Sequence, residues 1–126
     1  MLMGSTKIIV VDDEEIIRHG LGIFLEDEGF DVLLAESAED ALLIFNGNKD
    51  IKGAVIDLRL PGKSGSELIL ELAGINPSLK FVIYTGSSDF LLSPELRATG
   101  LSSDQVFYKP TPAVKIIDRL KKLMED

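Results

Sequence analysis

The 126-residue sequence predicts an α/β fold, a doubly wound five-stranded parallel sheet of order 2-1-3-4-5 flanked by five helices. Three observations predict it. Short apolar runs rich in β-branched residues alternate with segments whose apolar residues recur at helical spacing. The runs are continuous rather than alternating, as expected of strands covered on both faces. Finally, four of the runs end on polar residues: Asp12-Asp13, Asp57, Thr85 and Lys109. In a parallel sheet those ends share one edge, where open α/β sheets bind ligands, here at the switch point between strands one and three.

Lys7-Ile8-Ile9-Val10-Val11 reads as the first strand, closed by Asp12-Asp13-Glu14. Ile16, Ile17, Leu21, Phe24 and Leu25 form the apolar stripe of the first helix, which Gly29 stops. Asp31 to Ala35 is the second strand. Ser37 then caps a helix striped by Ala38, Ala41, Leu42 and Phe45, ending at Asn46-Gly47-Asn48. Residues 51–57 form the central strand. After the loop Leu58 to Lys63, Ser64 and Glu67 make a capping box for a helix buried through Leu68, Ile69 and Leu72 and stopped by Asn76-Pro77.

Lys80 to Thr85 is the fourth strand. Residues 86–93 lack a clear period and read as loop. Ser93-Pro94 starts a short fourth helix before Gly100. Asp104 to Tyr108 reads as the fifth strand. Thr111-Pro112 starts the last helix, with Ala113, Ile116, Ile117, Leu120 and Leu123 on one side and Lys115, Arg119, Lys121 and Lys122 opposite.

Composition narrows the function. The length suits one domain spanning residues 1–126, with Met1 to Thr6 read as a tail or vector-derived residues. With no cysteine and one histidine, disulfides and thiolate metal sites are excluded and zinc is disfavoured. A net charge of -8 repels phosphate backbones, so no nucleic-acid binding by this chain is expected. No apolar run approaches the ~20 residues of a membrane span. The start lacks the pattern of a signal peptide, which makes cytoplasm the expected location.

Asp12, Asp13 and Asp57, brought to one edge, would repel one another, and a divalent cation removes that conflict. Oxygen-only ligands select magnesium or calcium, and magnesium usually takes only one or two carboxylates. Asp13 and Asp57 are the expected direct ligands, with the Arg59 carbonyl possible and Asp12 acting through a water. Each residue alone has a plainer reading. Asp12-Asp13 could cap a helix, Asp57 could sit in a turn, Thr85 could be a strand hydroxyl and Lys109 a solvated cation. Their common edge favours a shared site. Gly62-Lys63-Ser64 mimics the end of a P-loop, but Asp57 stands where that motif needs glycine. His19, alone on the first helix, reads as a surface or packing residue.

In these features the chain resembles the receiver domain of two-component response regulators, the group of chemotaxis-regulator-like, flavodoxin-like folds. Lys7 to Glu14 resembles the family's acidic-pair strand. Asp57 to Gly65 matches its phosphoacceptor loop, with Pro61 and Gly65 four and eight residues after the aspartate. Thr85-Gly86 and Lys109-Pro110 match its hydroxyl and lysine motifs, and the likeness runs from about Lys7 to Met124.

The resemblance implies a signalling phosphoacceptor rather than a turnover enzyme. It implies that Asp57 takes a phosphoryl group from a sensor histidine kinase or phosphotransfer protein, with Mg2+ (or Mn2+) as cofactor. Lys109 would pair with Asp57 or the phosphoryl group, Thr85 would donate to a phosphoryl oxygen, and Gly86 would leave room for it. A cis Lys109-Pro110 bond would aim the lysine inward. The signal would leave through the face of helix four, strand five and helix five toward an output domain or protein.

Two departures stand out. The family's switch aromatic falls at Val106 here, and Tyr108, two residues on, is either its substitute or a packing residue. The late, short fourth helix suggests a specialised output or weakened switching, so a binding-only receiver stays open. Arg59 is either a solvated cation or a residue tuning phosphate lifetime. A Mg-dependent phosphohydrolase with an aspartyl nucleophile is the enzymatic alternative. It would ordinarily add a cap and a second carboxylate where Arg59 stands.

Overall fold

The computed structural model describes residues 6–125. The tail reading of the first residues therefore lies, except at Thr6, outside the described residues. Five parallel strands form one sheet in the order β2-β1-β3-β4-β5. They are β1 (Lys7–Val11), β2 (Asp31–Ala35), β3 (Ile51–Ile56), β4 (Lys80–Thr85) and β5 (Val106–Tyr108). The helices are α1 (Glu15–Asp27), α2 (Ala38–Gly47), α3 (Gly65–Ile75), α4 (Pro94–Arg97) and α5 (Ala113–Met124). The order matches the expected one, with the switch point between β1 and β3.

The continuous apolar runs are explained by two separate cores. Ile9, Val11, Ala54, Ile56, Phe81 and Ile83 point to one face, against Ala41 and Phe45 of α2, Leu68 and Leu72 of α3 and Leu96 of α4. Ile8, Val10, Val55, Val82 and Tyr84 point to the other, against Leu21 and Leu25 of α1 and Ile116, Ile117 and Leu120 of α5. Successive strand residues face opposite sides, so a strand covered twice must be apolar throughout. Each Val, Leu, Ile or Phe among them, once buried, contributes about 1.5–3 kcal/mol.

Local signals set the ends. Ser37, Ser64 and Ser93 cap α2, α3 and α4 with their hydroxyls, and Ser64 with Glu67 forms the full capping box. Gly29 follows α1 at φ 99°, a left-handed value that glycine adopts without strain. Among residues 86–93 there is no helix or strand, as expected, and α4 is a single turn.

Three expectations need correction. The central strand ends at Ile56, although Asp57 N–H still donates to the Val11 carbonyl (2.9 Å). The fifth strand begins at Val106, because Ser103–Gln105 forms a 3-10 turn. There the Gln105 side chain accepts from Ser102 N–H (3.0 Å) and donates to the Phe81 carbonyl (2.9 Å), so its amide caps a turn instead of extending the ladder. Ile16 and Phe24 do not line the buried side of α1, being 88% and 57% exposed. The side of α1 packed on the core carries Ile17, Leu21 and Leu25 instead, with Arg18 and Gly22 also buried.

Candidate functional site

All four polar strand ends do meet at one edge. Asp12 follows β1 and Asp57 follows β3, and both are almost fully buried. Lys109 follows β5, and its N–H donates to the Thr85 carbonyl (2.8 Å). The Lys109-Pro110 bond is cis. Lys109 Nζ lies 3.0 Å from Asp12 Oδ2, 3.2 Å from Asp57 Oδ2 and 2.8 Å from Glu14 Oε1. It also sits 5.7 Å from the centroid of the Tyr84 ring.

The charges are held by their surroundings. Burial opposes the Lys109 charge, but the hydrogen bonds to Glu14 and Asp12 and the fields of Asp12 and Asp57 outweigh it. The ammonium is held above its ordinary range. Burial raises the Asp12 carboxyl above its usual value, against the lowering effects of the Glu14 amide and Lys109. Glu14 N–H donates to Asp12 Oδ1 (2.9 Å), and the buried Arg18 donates to the Asp12 carbonyl (2.8 Å), so main chain and side chain of Asp12 are both fixed. Arg59 N–H faces Asp57 Oδ1 at 3.3 Å, while its side chain is exposed.

Asp13 is exposed at the mouth of the site. Carboxylate oxygens of Asp12, Asp13 and Asp57 all lie within 4.8 Å of one another. Three carboxylates so close, with no nitrogen or sulfur ligand among them, fit a hard divalent cation. Lys109 compensates two of the charges from the inner side and leaves Asp13 toward solvent.

Thr85 is fully buried, and its Oγ1 accepts from Ser87 N–H (3.1 Å). A Cβ placed on Gly86 would meet no atom within 4 Å, so the backbone there borders open space. Tyr108 is paired in register with Thr85, and its hydroxyl donates to the Phe90 carbonyl (3.0 Å). Val106 is half-buried and packs against the core. His19 is exposed on α1, as expected.

A family model described as the response regulator receiver domain matches residues 8–121. The chain belongs to that family. Among curated receivers, it is 35% identical over 119 residues to the two-component response regulator PhoP of Pseudomonas aeruginosa, covering 94% of this chain and 51% of that protein. It is 32% identical over 124 residues to the transcriptional regulatory protein AruR of the same organism, covering 94% of this chain and 49% of the other. This chain thus spans about half the length of those relatives. Among solved structures, the response regulator TrrA of Thermotoga maritima, in complex with Mg(2+)-BeF, is similar at TM-score 0.82 and 30% identity. That match covers 95% of this chain and all (100%) of the other. Receiver domains are signalling modules, and this one has the expected CheY-like, flavodoxin-like architecture.

Reading the sequence missed three participants in this receiver. Glu14 reaches Lys109 across 95 residues of chain, and only its place as third acid in the run Asp12-Asp13-Glu14 hinted at it. Arg18 left no signal, because a buried arginine inside an apolar period looks like an exposed one. Gly65 was noted only by its spacing. A Cβ there would lie 2.1 Å from the Asp57 carbonyl oxygen, so α3 starts directly against the backbone of Asp57.

Proposed function

We propose that this receiver accepts a phosphoryl group on Asp57 from a histidine kinase or phosphotransfer protein. The observation that carries the reading is the Asp57 carboxylate, nearly buried, with Lys109 Nζ 3.2 Å away and two further acids within 4.8 Å. In the reaction an Asp57 oxygen forms a bond to phosphorus while the P–N bond of the donor phosphohistidine breaks. The electron pair of that bond leaves with the imidazole. Lys109 offsets the negative charge that gathers beside Asp57. The Thr85 hydroxyl, accepting from Ser87 N–H, has its proton free for a phosphoryl oxygen, and Gly86 leaves space beside it.

Asp13 and Asp57 would hold Mg2+ (or Mn2+), with Asp12 through a water and the Arg59 carbonyl as a further ligand. When bound, the ion supplies charge neutralisation at the phosphoryl oxygens. TrrA, solved with Mg(2+)-BeF, supports this choice of cation.

A protein donor is supported by the rim. Ile16 and Phe24 of α1 and Val114 of α5 are exposed, and with Thr111 and Pro112 they line grooves between α1 and the start of α5, the two helices that follow Asp12-Asp13 and Lys109. The signal would leave through α4, β5 and α5, with Tyr108 as the link to the 86–93 segment, toward an output domain or protein. A cytoplasmic location belongs to the same proposal. No described helix is long and apolar enough to cross a membrane. With its net charge of -8, the chain itself is proposed not to bind nucleic acid.

Transfer from a radiolabelled phosphohistidine protein tests the proposal. Label should move to the wild-type chain and not to Asp57→Asn. Equal labelling of both proteins would overturn the assignment of Asp57.

A further inference from the structure

The β3–α3 loop runs from Leu58 to Ser64 and carries Arg59, whose amide faces the Asp57 carboxylate. Its base is closed internally, since Gly65 N–H donates to the Leu58 carbonyl (3.0 Å). Its tip is held from a different element. Glu39, in the first turn of α2, reaches across 24 residues of chain, and its Oε2 accepts from Lys63 N–H (3.1 Å).

Gly62 makes that approach possible. It sits at φ +74°, and a Cβ there would lie 2.9 Å from Glu39 Oε2. The carboxylate therefore seats against bare backbone at 62 and 63. The Lys63 ammonium meanwhile pairs with Glu71 of α3, so one loop residue is tied to two helices. The Lys63 amide, with Glu39's own amide and the Lys63 charge, keeps the Glu39 carboxyl below its ordinary range.

We propose that Glu39 is a positioning residue for phosphoryl acceptance: its carboxylate pins the tip of the Leu58–Ser64 loop and so keeps the Arg59 main chain against Asp57. The role rests on reading Asp57 as the acceptor. Glu39 touches no reacting atom and works through the loop, which is fixed at its base by Gly65 and at Lys63 would keep only the solvent-exposed pair with Glu71 without the α2 contact. A misplaced Arg59 amide withdraws a donor from Asp57 Oδ1, and a misplaced Arg59 carbonyl withdraws an expected cation ligand.

Two variants test it, Glu39→Ala and Glu39→Gln, the second keeping an accepting oxygen. Amide hydrogen exchange in metal-free protein reads the loop directly. The initial rate of phosphorylation by acetyl phosphate with Mg2+ reads its consequence. Glu39→Ala should speed exchange at residues 59–63 while leaving β3 amides protected. It should also slow phosphorylation roughly threefold to tenfold, the range one hydrogen bond commands. Glu39→Gln should match wild type in both. Unchanged exchange in Glu39→Ala, or faster exchange with an unchanged rate, overturns the proposal. So does a Glu39→Gln as impaired as Glu39→Ala, since charge rather than an acceptor would then matter. If wild type itself takes no phosphoryl group, the reading of Asp57 fails first and the positioning role with it, and that failure is visible in the parent protein.

Discussion

Lys109 shows how single residues set the chemistry. It pairs with Asp12, Glu14 and Asp57 at once, so a single cation offsets part of the charge of three acids. The compensation is incomplete at Asp12, where burial raises the carboxyl pKa. A raised folded value means that the protonated form is favoured by folding. The favourable contribution of this group is thus present below its unfolded value and is lost as pH rises through the folded one. At neutral pH the Asp12 charge costs stability. Asp12→Asn should therefore raise Tm in metal-free protein at pH 7, and the gain should shrink as pH falls through the raised folded value and be gone below about pH 4, where unfolded aspartate also protonates. A Tm that falls at pH 7 would mean that the pairing with Lys109 outweighs burial. Gly65 is a second decisive residue. Gly65→Ala forces a Cβ into the Asp57 backbone and should cost about 1–3 kcal/mol in denaturant unfolding, as overpacking does. Wild-type stability would show that α3 can shift away freely.

At the scale of elements, caps and runs were legible and side-chain reach was not. Three serine caps and the strand bounds at Lys7, Asp31 and Lys80 follow from short-range chemistry, which sequence spacing records. Ile16 and Phe24 fit the helical period of α1 yet lie exposed, because period alone does not say how wide the covered stripe is. Gln105 was read as strand because its side-chain bond to Phe81, 24 residues away, leaves no local mark. Two predictions belong here. Ser64→Ala removes the hydroxyl half of the α3 capping box and should cost about 1 kcal/mol in unfolding. Tyr108→Phe removes the bond to the Phe90 carbonyl. It should speed hydrogen exchange across residues 86–93 and leave Tm nearly unchanged. Unaltered exchange there would mark Tyr108 as a packing residue rather than a tether.

For the whole molecule, topology does what proximity in sequence does not. Asp12, Asp57, Thr85 and Lys109 are separated along the chain and meet because every strand runs the same way and ends at one edge. That meeting was readable from alternation alone. The partners that fix the geometry, Glu14, Arg18 and Glu39, were not, since they depend on rotamers and on where helix faces land. Cation binding should also register globally. If Asp12, Asp13 and Asp57 hold Mg2+, a concentration of about 100 times Kd should stabilise the fold by about 2.7 kcal/mol. That rise in Tm should vanish with chelator and in Asp13→Asn.

The central claim is that Asp57 becomes covalently phosphorylated with the help of a divalent cation. Intact-mass measurement after incubation with acetyl phosphate and Mg2+ tests it most directly. The account predicts a single phosphoryl adduct per chain that is absent in Asp57→Asn and absent when the metal is chelated. An adduct that persists in Asp57→Asn, or continuing release of phosphate at many turnovers per chain, would contradict it.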